Sequence, residues 1–187
     1  FSYFLQVSEC PKENKTKVKV RRWLDTPELG KYEAFTNEWH YYLKEKQIRL
    51  VFYIHPKLQE FIGTFHSEDS QIELYSFDSV PLNQLIMHCS MMITDYSSAC
   101  WDAYYQGKPI LFYQFDLDQY NKTNGSYIDM ETELWGDRCT EQEDLVHLIK
   151  DYAENGFQEK QKYAEMRKEY FAYIDHNNCQ RTYEYIK

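Results

Sequence analysis

The segment that decides the fold is MMITDYSSACWDAYYQGKPILFYQFD, which covers residues 91–116. It opens with the apolar run MMIT and closes with the apolar run ILFYQF, and the residues between them have helical spacing. An apolar strand that leads through a helix into a second apolar strand is the repeating unit of a parallel α/β sheet. Asp95, Tyr96, Ser97 and Ser98 stand where the first strand turns into the helix, which is where such sheets bind ligands.

The same alternation of strands and helices extends on both sides of this segment. The run IRLVFYI, residues 48–54, is nearly continuous in apolar residues, as is typical of a strand covered on both faces. Further strands are predicted at YFLQV near the start, within KVKVRRWL, and at IELYSF, residues 72–77. Helices are predicted from Thr26 to Gln47 and over residues 57–65, 80–89, 98–106, 140–156, 158–174 and 179–187. We therefore predict a single Rossmann-like domain over residues 1–187, with a parallel sheet and helices on both faces.

The C-terminal third carries two more detailed predictions. Residues 121–137 have the composition of a polar loop. In the helix that follows, Thr140 is placed as the N-terminal cap and Gly156 as the terminator. The apolar spacing predicts that this helix buries one face, which carries Leu145, Leu148, Ile149 and Tyr152.

The composition argues against several classes of function. A formal net charge of −9 disfavours non-specific binding to nucleic acid or anionic lipid, although residues 15–22 form either a local basic patch or an exposed strand. The five cysteines are widely spaced and include no CxxC pair, so we predict free thiols rather than a zinc or redox site. No apolar run approaches the roughly 20 residues that span a bilayer.

The polar cluster after residues 91–94 has two physical interpretations. The first turn of a helix has backbone N–H groups without intrahelical partners and a partial positive charge, so it can bind a phosphate. Ser97 and Ser98 either complete such a site with their hydroxyls or simply cap the helix. Asp95 either holds the loop through backbone N–H groups or accepts a hydrogen bond from a sugar or polyol hydroxyl. Asp102, one turn into the helix, either reaches a ribose hydroxyl or interacts favourably with the helix dipole.

Two further candidates follow other predicted strands. His55 and Pro56 come directly after residues 48–54, and the histidine is either a ligand-binding group or a loop residue bonded to backbone. Asp116 and Asp118 lie on one side of an extended chain, but no third metal ligand stands at a suitable spacing, so anchoring of the following loop is the simpler interpretation. The glycine-rich dinucleotide fingerprint and the P-loop are both absent, which disfavours NAD and ATP.

Several of these residues stand in motifs that resemble a known family. The run ITDYSSACWDAYYQGKPILFYQFDLDQY, followed by GSYIDME, is similar to the C-terminal part of the CDP-glycerol:poly(glycerophosphate) glycerophosphotransferases, the teichoic-acid polymerases and primases. The segments YIHP, residues 53–56, and FAYIDHNNCQRTYEYI, residues 171–186, resemble two further motifs of that family. The family's motif after the first strand is poorly matched by RRWLD, residues 21–25.

The resemblance implies a fold and a reaction. The family has a GT-B architecture of two Rossmann-like domains, and this chain corresponds to the C-terminal, donor-binding domain, with the N-terminal acceptor domain absent. The implied reaction is attack of an acceptor hydroxyl on the β-phosphate of CDP-glycerol or a related CDP-polyol, with CMP as the leaving group. No cofactor and no metal are expected. The implied acceptor is a lipid-linked polymer, met by a cytoplasmic protein at the inner face of the cell membrane.

The same resemblance implies roles for individual residues. His55 is the expected catalytic residue, which contacts the phosphates or helps to neutralise the departing CMP. The residues expected to bind the donor are Thr94, Asp95, Tyr96, Ser97, Ser98, Asp102 and Asp116. Without the acceptor domain, the chain alone is expected to bind donor weakly and to turn over slowly or not at all. Two alternatives stay open: a GT-B transferase that uses a nucleotide sugar, and a non-catalytic Rossmann-like interaction domain whose serines are only caps.

Overall fold

The computed structural model of the chain describes residues 2–7, 39–54, 67, 69–123 and 125–187. The strands within them are β1 (Ser2–Val7), β2 (Ile48–Tyr53), β3 (Ile72–Tyr75), β4 (Met91–Thr94), β5 (Ile110–Tyr113) and β6 (Asp137–Cys139). The helices are α1, described over residues 39–45, α2 (Leu82–His88), α3 (Cys100–Tyr105), α4 (Leu117–Thr123), α5 (Gln142–Glu154), α6 (Gln161–Tyr170) and α7 (Asn178–Ile186). Outside the described residues lie His55, the basic segment 15–22, the predicted helix over residues 57–65 and the predicted helix start at Thr26.

The strands form one sheet in the order β3-β2-β1-β4-β5-β6. β2 pairs with β3 in parallel, and β4, β5 and β6 also pair in parallel, which confirms the predicted α/β sheet. β1 lies at the centre and runs antiparallel to both of its neighbours, β2 and β4. An antiparallel strand pairs through the same backbone groups, so β1 keeps the sheet continuous although its direction departs from an all-parallel arrangement. The strand order is that of a Rossmann sheet and reverses at β1.

Helices cover both faces of this sheet, and the side chains of β4 and β5 alternate between two cores. The core on the side of α2, α3 and α6 includes Met92, Ile110 and Phe112. The core on the side of α1 and α5 includes Met91, Ile93 and Leu111. The predicted stripe of α5 packs into this second core, as predicted for Leu145, Leu148, Ile149 and Tyr152. Continuous apolar strands are explained by this double coverage, because every side chain of β4 is buried.

The predicted polar loop over residues 121–137 is wrong in two places, because α4 extends to its first residues and β6 begins at its last. β6 pairs with β5, and Gly136 permits the close approach, since an added Cβ would collide with the carbonyl oxygen of Ile110. The predicted cap at Thr140 is also wrong: the N-cap of α5 is Glu141, without a side-chain hydrogen bond. A strand of three residues has no readable periodicity, so only its pairing reveals it.

The turn GKP, residues 107–109, joins α3 to β5 and also holds the end of α2. The Lys108 ammonium donates hydrogen bonds to the backbone oxygens of Ile86, Met87 and Cys89, the last two at 2.7 Å. These carbonyls lie in the last turn of α2, where backbone acceptors have no intrahelical partner. Lys108 therefore caps α2 from a neighbouring loop, and its charge is favourably placed at the negative end of the helix dipole.

Candidate functional site at the carboxyl edge of the sheet

The carboxyl ends of the parallel strands form the edge to which the predicted donor-binding residues belong. Tyr53 at the end of β2 and Thr94 at the end of β4 both lie opposite Ser2 of β1. They are therefore level with each other and two strand spacings apart, about 10 Å. This edge lies where the strand order reverses, which is the position at which open α/β sheets bind ligands.

Along the loop from Thr94 to Ser98, which leaves this edge, the side chains become progressively more exposed to solvent. Thr94 is buried, Asp95, Tyr96 and Ser97 are partly buried, and Ser98 is exposed. The Asp95 carboxylate accepts a hydrogen bond from the backbone N–H of Tyr96 at 2.5 Å. Asp95 thus holds the loop, which is one of the two roles that the sequence left open for it.

The two serines contribute little to capping of α3. The N-cap of α3 is Ala99, which already has helical dihedral angles and no side-chain cap hydrogen bond. The Ser97 hydroxyl accepts from the Ala99 N–H over a long 3.4 Å, and no described residue forms a hydrogen bond with the Ser98 hydroxyl. Both hydroxyls can therefore turn to a ligand at the cost of at most one weak protein contact.

Tyr96 and Asp116 are bonded to each other although 20 residues separate them. The Tyr96 hydroxyl donates to Asp116 Oδ1 at 2.9 Å, and its ring stacks on Tyr120 of α4 with centroids 3.7 Å apart. Burial, the bond to Asp116 and the nearby Asp95 carboxylate all raise the pKa of Tyr96, so this hydroxyl stays protonated and keeps donating. The contact ties the loop after β4 to the loop after β5, and the two loops form one wall of the edge.

Sequence reasoning missed Arg138, the cation at this wall. Arg138 Nε donates to Gln114 Oε1 at 2.7 Å, and Gln114 is 1% exposed at the end of β5. Arg138 itself is exposed, and its positive charge lies close enough to Tyr96 to oppose in part the rise in the pKa of that hydroxyl. No described carboxylate lies within ion-pair distance of it, so the guanidinium keeps its charge available next to Tyr96. A lone arginine in a polar stretch carries no motif signal that could have singled it out.

Asp102 lies one helical turn beyond Ser98. It is exposed in the first turn of α3 and lines a pocket between α3 and the segment after α6, together with Trp101, Tyr105 and Tyr170. The edge therefore brings together Thr94 to Ser98, Asp116 and Arg138, and Asp102 stands four residues after Ser98 on α3. His55 lies outside the described residues.

Across the described ranges, no three histidine, cysteine, aspartate or glutamate side chains converge as they would around a metal ion. Within the same part of the chain, no helix has the length and apolarity required to cross a bilayer.

Comparison with known proteins identifies relatives that cover most of the chain. It is 28% identical over 167 residues to the minor teichoic acid biosynthesis protein GgaB of Bacillus subtilis, an alignment that covers 88% of the chain and 18% of that protein. It is 32% identical over 107 residues to the teichoic acid glycerol-phosphate primase of the same organism, covering 57% of the chain and 27% of the primase. A ribitol-phosphate primase of Bacillus spizizenii is 25% identical over 144 residues, covering 77% of the chain and 36% of that primase. The chain thus spans only about a fifth to a third of the length of these relatives.

The family model for CDP-glycerol:poly(glycerophosphate) glycerophosphotransferases matches residues 28–187. That range includes strands β2 to β6, the described residues of all seven helices, and the whole ITDYSS loop, residues 93–98. The chain therefore belongs to the CDP-glycerol:poly(glycerophosphate) glycerophosphotransferase family.

Proposed function

We propose that this chain is the donor-binding part of a transferase that moves a polyol phosphate, glycerol or ribitol phosphate, from a CDP-polyol to a hydroxyl of a cell-wall or surface polymer. The observation that carries the proposal is the position of the ITDYSS loop. It lies at the carboxyl edge of a Rossmann-ordered sheet, where strand order reverses, with two serine hydroxyls nearly free of protein partners. Family membership and the named relatives, which make teichoic acids or prime them, support the same class of reaction.

Transfer of a polyol phosphate from a CDP-polyol requires that the enzyme neutralise the charge of the phosphates and position the two reactants. An acceptor oxygen forms a bond to the β-phosphorus of the donor while the bond from that phosphorus to the bridging oxygen breaks. CMP leaves with the bridging oxygen and its electron pair, and the acceptor hydroxyl loses its proton to a base. Catalysis of such a displacement rests on orientation of the two reactants and on stabilisation of the charge on the leaving group.

The residues at the edge suit these tasks in different ways. Ser97 and Ser98 donate hydroxyl hydrogen bonds to the diphosphate, and Arg138 supplies a positive charge beside them. Tyr96 and Asp116 hold the two loops together, and Asp95 holds the backbone of the first loop. His55, which follows β2 in the sequence, is the candidate that contacts the phosphates or helps to neutralise the departing CMP. In this proposal the acceptor is a lipid-linked polymer at the inner face of the membrane, and its base comes from elsewhere in the enzyme.

A titration of the chain with CDP-glycerol, CDP-ribitol and a UDP-sugar tests the donor. We expect saturable binding of a CDP-polyol and at least about tenfold weaker binding of the UDP-sugar. The double change Ser97→Ala and Ser98→Ala should weaken CDP-polyol binding by about tenfold or more, because hydrogen bonds to charged groups are lost. Thermal unfolding should change little, since the serines contribute at most one weak cap contact.

The outcomes separate the competing functions. Preference for the UDP-sugar would identify a nucleotide-sugar transferase. Absence of nucleotide binding, together with no effect of the serine changes, would identify a non-catalytic interaction domain. The chain alone should release CMP from the donor slowly or not at all, because it spans a minor part of its relatives' length. Rapid transfer by the isolated chain would contradict that expectation.

A further inference from the structure

Gln114 has a polar atom to which the protein supplies no partner. Its side chain is 1% exposed, and no described residue accepts a hydrogen bond from its Nε2 atom. Its Oε1 atom accepts the hydrogen bond from Arg138 Nε at 2.7 Å. A buried amide donor without a partner is costly to a fold, and most buried polar groups are paired with protein, water or a ligand. The unpaired Nε2 therefore indicates an acceptor from outside the chain.

The bond to Arg138 fixes which way round this amide lies. A guanidinium only donates hydrogen bonds, so the amide atom that faces Arg138 Nε must be the oxygen. The other amide atom is then the nitrogen, whose two N–H groups can only donate. Gln114 thus presents a hydrogen-bond donor whose orientation the protein sets before any ligand binds.

The sheet places Gln114 on the face that α3 covers. The backbone N–H of Gln114 donates to the carbonyl oxygen of Cys139 at 2.9 Å, which extends the ladder between β5 and β6 by one residue. Side chains alternate along a strand, so Gln114 shares a face with Phe112. Phe112 belongs to the core on the side of α3, and Tyr96 and Ala99 pack against the same core. Gln114 therefore lies on the side of the sheet where the ITDYSS loop leads into α3.

Gln114 also lies at the same edge of the sheet as the start of α3. Thr94, at the carboxyl end of β4, pairs with Phe112, two residues before Gln114. The loop from Thr94 leads through Ser97 and Ser98 into α3, so the first turn of this helix begins at that edge. Gln114 consequently belongs to the candidate donor site, as a buried group behind the more exposed serines.

The burial of this donor decides which part of a nucleotide suits it. A phosphate is charged and costly to remove from water, so the phosphates suit the exposed Ser98 and Arg138. The base is neutral and planar, and it can be withdrawn from water beside aromatic rings such as Tyr96, which stacks on Tyr120. Cytosine has a hydrogen-bond acceptor at N3, whereas uracil has an N–H donor there. A fixed donor that faces N3 therefore pairs with cytosine and opposes uracil with a second donor.

We propose that Gln114 is a specificity-determining residue, which donates a hydrogen bond from Nε2 to N3 of the cytosine base. This role rests on the proposed function, because it takes the bound donor to be a CDP-polyol. Since Nε2 is closed to solvent in the free chain, the base reaches it only when the surrounding side chains move apart. A base with an acceptor at that position then gives the buried donor its partner, which is how a buried polar group selects one ligand over its analogue.

Isothermal titration of the chain with CMP, UMP and 3-deaza-CMP tests the role of Gln114. The last ligand has a C–H group in place of N3, so it lacks the acceptor and keeps the rest of CMP. We expect wild type to bind CMP at least about tenfold more tightly than either comparison ligand, because one buried hydrogen bond separates them. CDP-glycerol titrated in parallel reports whether the chain binds the proposed donor.

Two variants and a matched control assign this selectivity to Gln114. Gln114→Met keeps the length of the side chain without its amide, so it should bind the three nucleotides with affinities within about threefold of one another. Gln114→Glu keeps an acceptor for Arg138 and replaces the donor by an oxygen, so it should bind UMP more tightly than CMP. Effects on phosphate binding are common to the three ligands and cancel in the ratio of affinities. Gln161→Met, at an exposed position on α6, should keep the wild-type ratios.

The comparison of CMP with 3-deaza-CMP needs no variant, so it decides the matter even if a substitution prevents folding. If wild type bound CDP-glycerol but bound CMP and 3-deaza-CMP equally, the role of Gln114 would be wrong and the proposed function would stand. The same would follow if Gln114→Met kept the wild-type ratios, because the base would then be recognised elsewhere and a water would be the partner of Nε2. If wild type bound neither CDP-glycerol nor CMP, the proposed function would fail, and the role of Gln114 with it.

Discussion

In the ITDYSS loop, residues 93–98, some side chains hold the loop in place and others remain available to a ligand. Asp95 and Tyr96 are engaged by the protein itself, one with a backbone N–H and the other with Asp116. Ser97 and Ser98 are the residues that the fold leaves nearly unengaged. Asp95 and Tyr96 thus make the loop rigid, whereas Ser97 and Ser98 are left to form hydrogen bonds with a ligand. Substitutions at the first pair should therefore affect stability, and substitutions at the second pair should affect ligand binding.

The substitution Arg138→Gln tests whether the charge of a single residue contributes to donor binding. We expect it to weaken CDP-glycerol binding by about 10- to 100-fold, because the phosphates then meet Asp95, Asp116 and Asp129 without the neighbouring cation. The melting temperature should fall modestly, because the change also removes the hydrogen-bond donor to the buried Gln114 Oε1. Isothermal titration with CDP-glycerol and with cytidine separates the effects, since cytidine has no phosphate and should bind both proteins alike.

Lys44→Gln serves as the matched control for this change, because Lys44 is an exposed cation on α1, on the opposite face of the sheet. It should leave donor binding unchanged within about twofold. If wild type and Arg138→Gln bound CDP-glycerol equally well, Arg138 would not belong to the donor site. The proposed function of the chain would still hold, because the chain would still bind the donor.

At the scale of elements, Lys108 joins α2 to the turn before β5. Lys108→Met keeps most of the aliphatic stem but removes the donor to three backbone carbonyls. We expect a loss of about 1–3 kcal/mol in the free energy of unfolding, from lost hydrogen bonds and helix-dipole interaction. Urea unfolding followed by circular dichroism measures it. Lys122→Met, an exposed lysine in the last turn of α4, should cost less than about 0.5 kcal/mol, and an equal cost for both would refute the capping role.

Asp137 joins three elements at the edge strand. Its carboxylate accepts hydrogen bonds from Tyr152 of α5 and Tyr163 of α6, each at 2.8 Å, and pairs with Lys160. Burial by itself would raise the pKa of Asp137, but the bonds from Lys160, Tyr163 and Tyr152 outweigh it and lower that pKa. One side chain thus fastens helices from opposite faces of the sheet to β6.

Asp137→Asn should destabilise the chain by about 1–3 kcal/mol near neutral pH, because a partly buried carboxylate loses the charge that pairs with Lys160. Since the folded-state pKa is lowered, the stabilisation is present above the unfolded value of about 3.9 and is lost as pH falls through the folded value. The difference between wild type and variant should therefore shrink between about pH 5 and pH 2 in urea unfolding. The exposed Asp151→Asn on α5 is the control, and a gap that stays constant with pH would contradict the assignment.

The whole molecule can be probed through its thiols. Cys89, Cys100 and Cys139 are buried, whereas Cys179 is exposed on α7. Burial raises the pKa of Cys89 to about 11 and those of Cys100 and Cys139 to about 12, so their reactive thiolates are scarce at neutral pH. Cys100 and Cys139 belong to the two different cores, which makes them reporters for both faces of the sheet.

Iodoacetamide labelling at about pH 7.5, read by peptide mass spectrometry, should modify Cys179 quickly and the three buried cysteines only as the chain unfolds. Labelling in denaturant, where all thiols are accessible, is the reference rate for each. If Cys100 or Cys139 reacted in the native chain as fast as Cys179, the corresponding core would not be packed as described. Equal protection of both would show that the two cores unfold together.

The sequence by itself determined the alternation of strands and helices, the buried stripe of α5, and the polar loop at the end of β4. These features were readable because burial on a strand or a helix leaves a local periodicity in the residues that are buried. Family membership was readable for a related reason, since its motifs are short and continuous in the chain.

Only the tertiary structure decided the features that depend on pairs distant in sequence. β6 exists because β5 lies beside it, Arg138 is positioned by Gln114 across 24 residues, and Asp137 meets Tyr163 across 26. Asp102, four residues after Ser98, lines a pocket that α3 forms with the chain after α6. The direction of a side chain at the start of a short helix depends on what packs against the helix, which here is the chain after α6, about 70 residues further on.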